Sequence, residues 1–280
     1  MVKKRLDVMV FERGLAESRE KARALIMSGI VYVNDVKIDK AGFSINEKDV
    51  VEVRGSNIPY VSRGGLKLEK ALAKFDIKVE GKTCYDIGSS TGGFTDCMLQ
   101  NGAVQVFSID VGYGQLAYKL RNDKRVTVLE KTNFRYLEFE ATGAIANLVS
   151  IDVSFISVTK LADNLKKFIN EETDIIILIK PQFESTRDKI GKNGVISNKK
   201  DHIDIVKNFV ADMNEHNYFV KNIDFSPIKG PKGNREFVSL FKFCNSEVQS
   251  VDINEEIKCC VEEAHSLLNN SFEGEIQVES

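Results

Sequence analysis

From residue 83 onward, short apolar runs alternate with stretches in which apolar residues recur every three or four positions. The runs "TCYDIG", "VQVFSID", "RVTVLE", "AIANLVSID", "DIIILIK", "YFVKNIDF" and "EFVSLFKF" predict seven strands. Helices are expected between them over about 91–101, 115–121, 158–168 and 201–214. Short apolar strands separated by amphipathic helices imply an α/β fold, a mostly parallel Rossmann-like sheet covered on both faces. Only "SPIKGPKGNR" separates the last two strands, too short for a helical crossover, so that pair is expected to be an antiparallel hairpin.

The first 58 residues follow a different rhythm, that of a small α+β domain. Leu6, Val10 and Leu15 share one helical stripe, and Ala22, Leu25 and Ile26 another. Ser18 is the expected N-cap of the second helix, with Lys21 where a capping box would have an acid, and Gly29 stops that helix. "IVYVND" and "DVVEVRG" then predict two strands. Arg19 and Arg23 fall together on the outward face of the second helix. Pro59 and the Gly64-Gly65 pair suit a linker over 59–66, leading into a body over 67–245. That body opens with a helix over 66–75 that turns Leu68, Leu72 and Phe75 inward and Lys67, Lys70 and Lys74 outward. Residues 246–280 form an acidic tail, in which Ile253, Ile257, Val261 and Ala264 predict a helix over 254–268 before a disordered end.

Charge sharpens this division. The net charge of -2 conceals a head (1–80) with 16 Lys+Arg against 12 Asp+Glu, a nearly balanced middle (22 against 20), and a tail (246–280) with 1 against 9. Only the head has the sign that attracts a polyanion. No apolar run approaches bilayer length, and Asp7, Glu12 and Arg13 interrupt any secretory leader, so a cytoplasmic, non-membrane protein is expected. Five irregularly spaced cysteines with three distant histidines suggest neither a disulfide framework nor a zinc site.

Ligands of open α/β sheets bind beyond the carboxyl ends of the parallel strands. Asp86, Asp110, Asp152 and Lys180 close the first, second, fourth and fifth strands of the body, and Glu236 begins the reversed last one, so five ionisable groups are expected on one edge. The loop "DIGSSTGG" has the glycines for close backbone approach, but G-x-x-x-G-G is not the dinucleotide fingerprint. With Asp110 placed to receive a nucleoside ribose, both NAD and S-adenosylmethionine satisfy the pattern. The terminal hairpin favours the second.

The motifs "YVSRGGLKL", "DIGSSTGGFTDCMLQNGA", "DVGYGQLAYKLRND", "DVSFIS", "KPQFE" and "GPKGNREF", in this order, resemble the TlyA proteins, often labelled haemolysin A. Their body resembles the FtsJ-type RNA ribose methyltransferases, and "SREKARALIMSGIVYVND" resembles the RNA-binding module of ribosomal protein S4. The resemblance runs from residue 4 to about 243 and leaves out the tail. It implies methyl transfer from S-adenosylmethionine to the ribose 2′-hydroxyl of cytidine in ribosomal RNA, and the chain's length and full first helix are similar to the type that acts on both subunits. It implies a catalytic set of Lys67, Asp152, Lys180 and Glu236. The cofactor is then expected along Asp86, Gly88, Ser90, Gly92, Gly93 and Phe94, with Asp110 on the ribose and Asn133 near the adenine edge. Lys4, Arg5, Arg19, Arg23 and Arg63 are expected on RNA.

A ribose hydroxyl is a weak nucleophile, so its proton must be taken and its oxygen aligned with the methyl group. Lys180, with Lys67 as a neighbouring cation, is expected either as base or as holder of the oxyanion, with Asp152 orienting it and Glu236 holding Lys67 or the substrate ribose. The sulfonium provides its own leaving group. Two other classes are an RNA-binding protein without activity, and a haemolysin, which would need a secreted or bilayer-length segment.

Overall fold

The computed structural model describes residues 3–16, 18–27, 29–34, 36–53, 58–245 and 252–270. The expected disordered acidic end, 271–280, lies outside them. The described residues fall into two compact units, one up to residue 53 and one from Ile58 to Asn270.

In the first unit, β1 (Lys3–Arg5) and β4 (Ser44–Asn46) pair antiparallel, and β3 (Val36–Lys37), β2 (Val31–Val33) and β5 (Val51–Val53) form a second small sheet in that order. Helices α1 (Leu6–Glu12) and α2 (Arg19–Met27) close over a core of Leu6, Val10, Ala22, Ile26, Val31 and Ile45. Ser18 caps α2, its Oγ accepting the Lys21 N–H at 3.1 Å. Three of these five strands carry no signal in the sequence. Each is two or three residues long, too short for period-two alternation to register.

The second unit begins with α3 (Gly64–Lys74). The glycine pair expected in a linker is therefore the first turn of a helix. A Cβ on Gly65 would lie 2.3 Å from the Tyr60 ring, and one on Gly93 would lie 2.8 Å from the Gly65 nitrogen. The two glycines let α3 meet α4 (Gly93–Gln100) backbone to backbone.

Between and beyond them run β6 (Thr83–Ile87), β7 (Gln105–Ile109), α5 (Tyr118–Arg121), β8 (Val126–Leu129), β9 (Leu148–Ile151), α6 (Ala162–Leu165), β10 (Asp174–Ile179), α7 (Pro181–Glu184), α8 (Lys199–Glu215), β11 (Tyr218–Phe225), β12 (Phe237–Phe243) and α9 (Asn254–Asn270). The sheet order is β11-β12-β10-β9-β6-β7-β8, with β12 antiparallel to both neighbours and the other adjacent pairs parallel. Strand β10 shows why its run is wholly apolar. Ile175, Ile177 and Ile179 enter a core shared with α6, α8 and α9, while Ile176 and Leu178 enter the opposite core with α3 and α4.

The tail helix is part of this body, because Ile257, Cys260, Val261 and Ala264 complete the first of those cores. His265 on α9 lies 2.8 Å from His202 on α8. Burial lowers both imidazoles to about 4. Among the described residues no helix is long and apolar enough to cross a membrane.

Candidate active site

At the carboxyl edge of the sheet the chain leaves β6 through a tight loop with Gly88 (φ +88°), Ser90 (φ +49°) and Gly92 (φ +94°) in the left-handed region. Gly88 and Ser89 both donate to the Ile109 carbonyl, which pins the loop to the end of β7. A Cβ on Gly88 would lie 2.4 Å from the Asp152 carbonyl oxygen, so only glycine fits at that wall. Asp86, Gly88, Ser90, Gly93, Phe94 and Asp152 are among the residues that line the resulting pocket. Gly92 does something else: its missing Cβ makes room for Leu116 and Leu120 under α5, so its demand is packing, and it does not line the pocket.

Asp110 stands at the end of β7 with both oxygens engaged, Oδ2 by the Ser90 N–H at 2.8 Å and Oδ1 by the Gly112 N–H at 2.7 Å. Each carboxylate oxygen keeps a second lone-pair direction for a hydroxyl donor. Asn133 stands on the segment after β8, where its Oδ1 accepts the Arg135 N–H and caps a short helical turn.

Asp86 is among the residues that line this pocket. Its side chain is fully buried, and its Oδ2 accepts the Thr95 N–H (2.9 Å) and hydroxyl (2.6 Å) while Oδ1 accepts the Ser150 hydroxyl (3.3 Å). It braces the N-terminal turn of α4 against β9. Burial, with Asp152 adding negative charge nearby, pushes its carboxyl up to about 7 despite these hydrogen bonds. Because the folded carboxyl binds its proton more tightly than the unfolded one, Asp86 lowers stability as pH rises from about 4 to about 7, by up to about 4 kcal/mol. Asp86→Asn should therefore gain on wild type in chemical-denaturation stability across that interval. Parallel pH profiles for the two proteins would contradict the assignment.

The other four strand-edge and helix residues meet. Lys67 Nζ donates to Glu236 Oε2 at 2.5 Å and lies 4.0 Å from Asp152 Oδ2. Lys180 Nζ lies 2.5 Å from Asp152 Oδ1 and donates to Ser154 Oγ at 2.9 Å. Lys67 thus faces inward and is buried, a correction to its expected outward position. On α3, the Leu68 side of the helix turns toward the sheet, and residue 67 follows it into the gap at the start of β12. Asp152 stands between the two lysines, so Lys67 does not reach Lys180 as a bare neighbouring cation. The result is a chain of alternating charge, Glu236, Lys67, Asp152, Lys180, drawn from four separate elements.

Glu236 is wholly buried, and its Oε1 has no hydrogen-bond partner among the described residues. A Cβ on Gly230 would lie 2.0 Å from that atom. Ser154 and Gly230 adjoin the charge chain and carry no signal of that in the sequence, although both lie inside the quoted motifs. Beside the cluster, Phe155 (φ +66°, 91% exposed) leans on Phe183, with ring centroids 5.1 Å apart, and Phe183 lies 6.0 Å from Lys180 Nζ. Arg63 is exposed at the N-cap of α3, one turn before Lys67. In the first unit, Lys4 pairs with Glu12, and Arg5, Arg19 and Arg23 gather on Asp7.

The pocket suits S-adenosylmethionine: glycines at its wall, loop backbone turned toward it, and an acid one strand over for a ribose. Together with the reversed last strand, these features define an S-adenosylmethionine-dependent methyltransferase. Residues 60–243 match the FtsJ-like methyltransferase family and residues 4–51 the S4 domain. The chain belongs to the TlyA/haemolysin A family of FtsJ-like methyltransferases that carry an N-terminal S4 RNA-binding domain. It is 47% identical to YqxC of Bacillus subtilis, an rRNA methyltransferase candidate, over 95% of each chain. It is 40% identical to the 16S/23S rRNA (cytidine-2′-O)-methyltransferase TlyA of Mycobacterium tuberculosis, over 83% of this chain and 87% of that one. A solved haemolysin candidate from Streptococcus thermophilus is 42% identical with a TM-score of 0.76, over 96% and 98% of the two chains.

Proposed function

We propose that this protein methylates the ribose 2′-hydroxyl of cytidine in ribosomal RNA of both subunits, in the cytoplasm, with Lys67, Asp152, Lys180 and Glu236 as its catalytic set. The observation that carries this reading is the charge chain from Glu236 to Lys180 beside the glycine-walled pocket. The description of the Mycobacterium tuberculosis relative supports the substrate.

When bound, S-adenosylmethionine supplies a methyl group on a sulfonium that leaves as a neutral thioether. The chain's own residues supply the rest. Gly88, Ser90 and Gly93 would hold the methionine part by backbone, Asp110 the ribose and Asn133 the adenine edge. Lys180 takes the 2′-hydroxyl proton as the oxygen attacks, and Asp152 stabilises the ammonium that results. Lys67 orients the substrate ribose and is itself held by Glu236. The exposed Phe155 ring, backed by the half-buried Phe183 tilted at 51° to it, offers an aromatic face to a nucleobase turned out of its stack. Arg63 and the S4 head, through Lys4, Arg5, Arg19 and Arg23, hold the RNA backbone.

Asp110→Ala removes charge-assisted hydrogen bonds worth about 1.5 to 3 kcal/mol each. Calorimetry is expected to show S-adenosylmethionine binding weakened by at least about tenfold, and unchanged affinity would remove Asp110 from the cofactor site. The overall reading is tested by incubating the protein with labelled S-adenosylmethionine and ribosomal subunits, then mapping the label by mass spectrometry. Label on a cytidine ribose is expected. Label on a base, or none, would overturn it.

A further inference from the structure

Asp7 opens the first helix of the S4 head with its side chain fully buried, and three arginines close on that one carboxylate. Arg5 Nε lies 2.9 Å from Oδ1, while Arg19 Nη2 and Arg23 Nε lie 3.3 and 2.9 Å from Oδ2. The arginines come from β1 and from the first two turns of α2. Their side chains remain half exposed, at 50, 49 and 49%.

One buried carboxylate needs one cation for neutrality. Three guanidinium groups leave a local charge of plus two and repel one another, a repulsion that an external anion relieves. Burial by itself would raise the Asp7 carboxyl. The hydrogen bonds from Arg5 and Arg23 and the charges of Arg5 and Arg19 outweigh it and hold the carboxyl well below the usual range. Asp7 therefore stays an anchor of fixed charge. Three long side chains are ordered by it during folding, so their rotamer freedom is not lost again on binding.

Resting on the RNA-binding reading of the head, we propose that Asp7 is a positioning residue that holds Arg5, Arg19 and Arg23 as one preformed claw for a backbone phosphate of ribosomal RNA. The claw depends on the planar fork of the guanidinium, which grips carboxylate and phosphate oxygens together. Charge alone makes the opposite prediction, because removing the Asp7 carboxylate raises the positive charge of the head and should tighten binding to a polyanion.

The test uses the full chain and an in-vitro transcript of large-subunit ribosomal RNA, with equilibrium binding measured from about 0.05 to 0.2 M salt. Asp7→Asn is expected to weaken binding about tenfold despite its added net positive charge. The pair Arg19→Lys with Arg23→Lys keeps every charge, sits on half-exposed positions that leave the fold intact, and is expected to weaken binding to a similar degree. Wild-type affinity in that lysine pair overturns the proposal whatever Asp7→Asn does, and it decides the matter if Asp7→Asn fails to fold in a circular-dichroism melt. The pair Arg19→Ala with Arg23→Ala separates this from the underlying reading. Wild-type affinity and salt slope there would mean that this face does not contact RNA at all.

Discussion

Replacing Lys180 by Ala is expected to slow single-turnover methyl transfer by about 10²- to 10⁴-fold while S-adenosylmethionine affinity stays near wild type. The Lys180 side-chain nitrogen is held by Asp152 at 2.5 Å and Ser154 at 2.9 Å, and Asp152 lines the pocket, so the neutral amine is placed to act on the incoming hydroxyl. Proton transfer acts in the transition state, which is why turnover falls and cofactor binding does not. Lys180→Arg should not rescue the rate, because guanidinium keeps its proton and its fork would not fit between Asp152 and Ser154. A lysine that merely anchored Asp152 would behave differently, lowering the melting temperature and RNA affinity more than the chemical step. A near-wild-type single-turnover rate in either variant would remove Lys180 from the proton-transfer role.

The second large effect is on stability. Glu236 is fully buried and pairs with Lys67, which is nearly so. Glu236→Ala leaves an ammonium in a site without its nearest counter-charge, a loss of about 3 to 5 kcal/mol. Exchanging both partners for apolar residues of similar size, Lys67→Met with Glu236→Leu, should restore most of that stability while methyl transfer stays abolished. Denaturant unfolding beside a methyl-transfer assay separates the two contributions. If the double variant remained as unstable as Glu236→Ala, the loss would lie in packing and not in the unpaired charge.

Much of this arrangement could be read from the sequence, because the body's strands and helices are long enough for their periods to show. Asp152, Lys180 and Glu236 were visible as strand-edge residues, since a parallel sheet brings all its carboxyl ends to one side. Lys67 was not. Helical spacing counts it among Lys70 and Lys74, and only the partner it finds 169 residues later makes burial affordable. Asp86 shows a related limit: a strand end and its sheet edge are legible, but the hydrogen bonds that bury its carboxyl come from Thr95 and Ser150, which sit on other elements. The glycines at 64 and 65 signalled a break because glycine in isolation favours turns. Their use in a helix becomes evident only when a second helix lies against it.

The ion pair between Lys67 and Glu236 also bears on how the molecule is made. It joins the helix that opens the body to the strand that closes the sheet, and α9, still later in the chain, completes one of the two cores. During synthesis from the N-terminus, the S4 head and most parallel strands have emerged before either Glu236 or α9 exists. A nascent chain arrested short of residue 236 holds every head arginine proposed to contact RNA, and three of the four members of the charge chain without Glu236. The proposed RNA-binding surface is therefore synthesised before the charge chain can close.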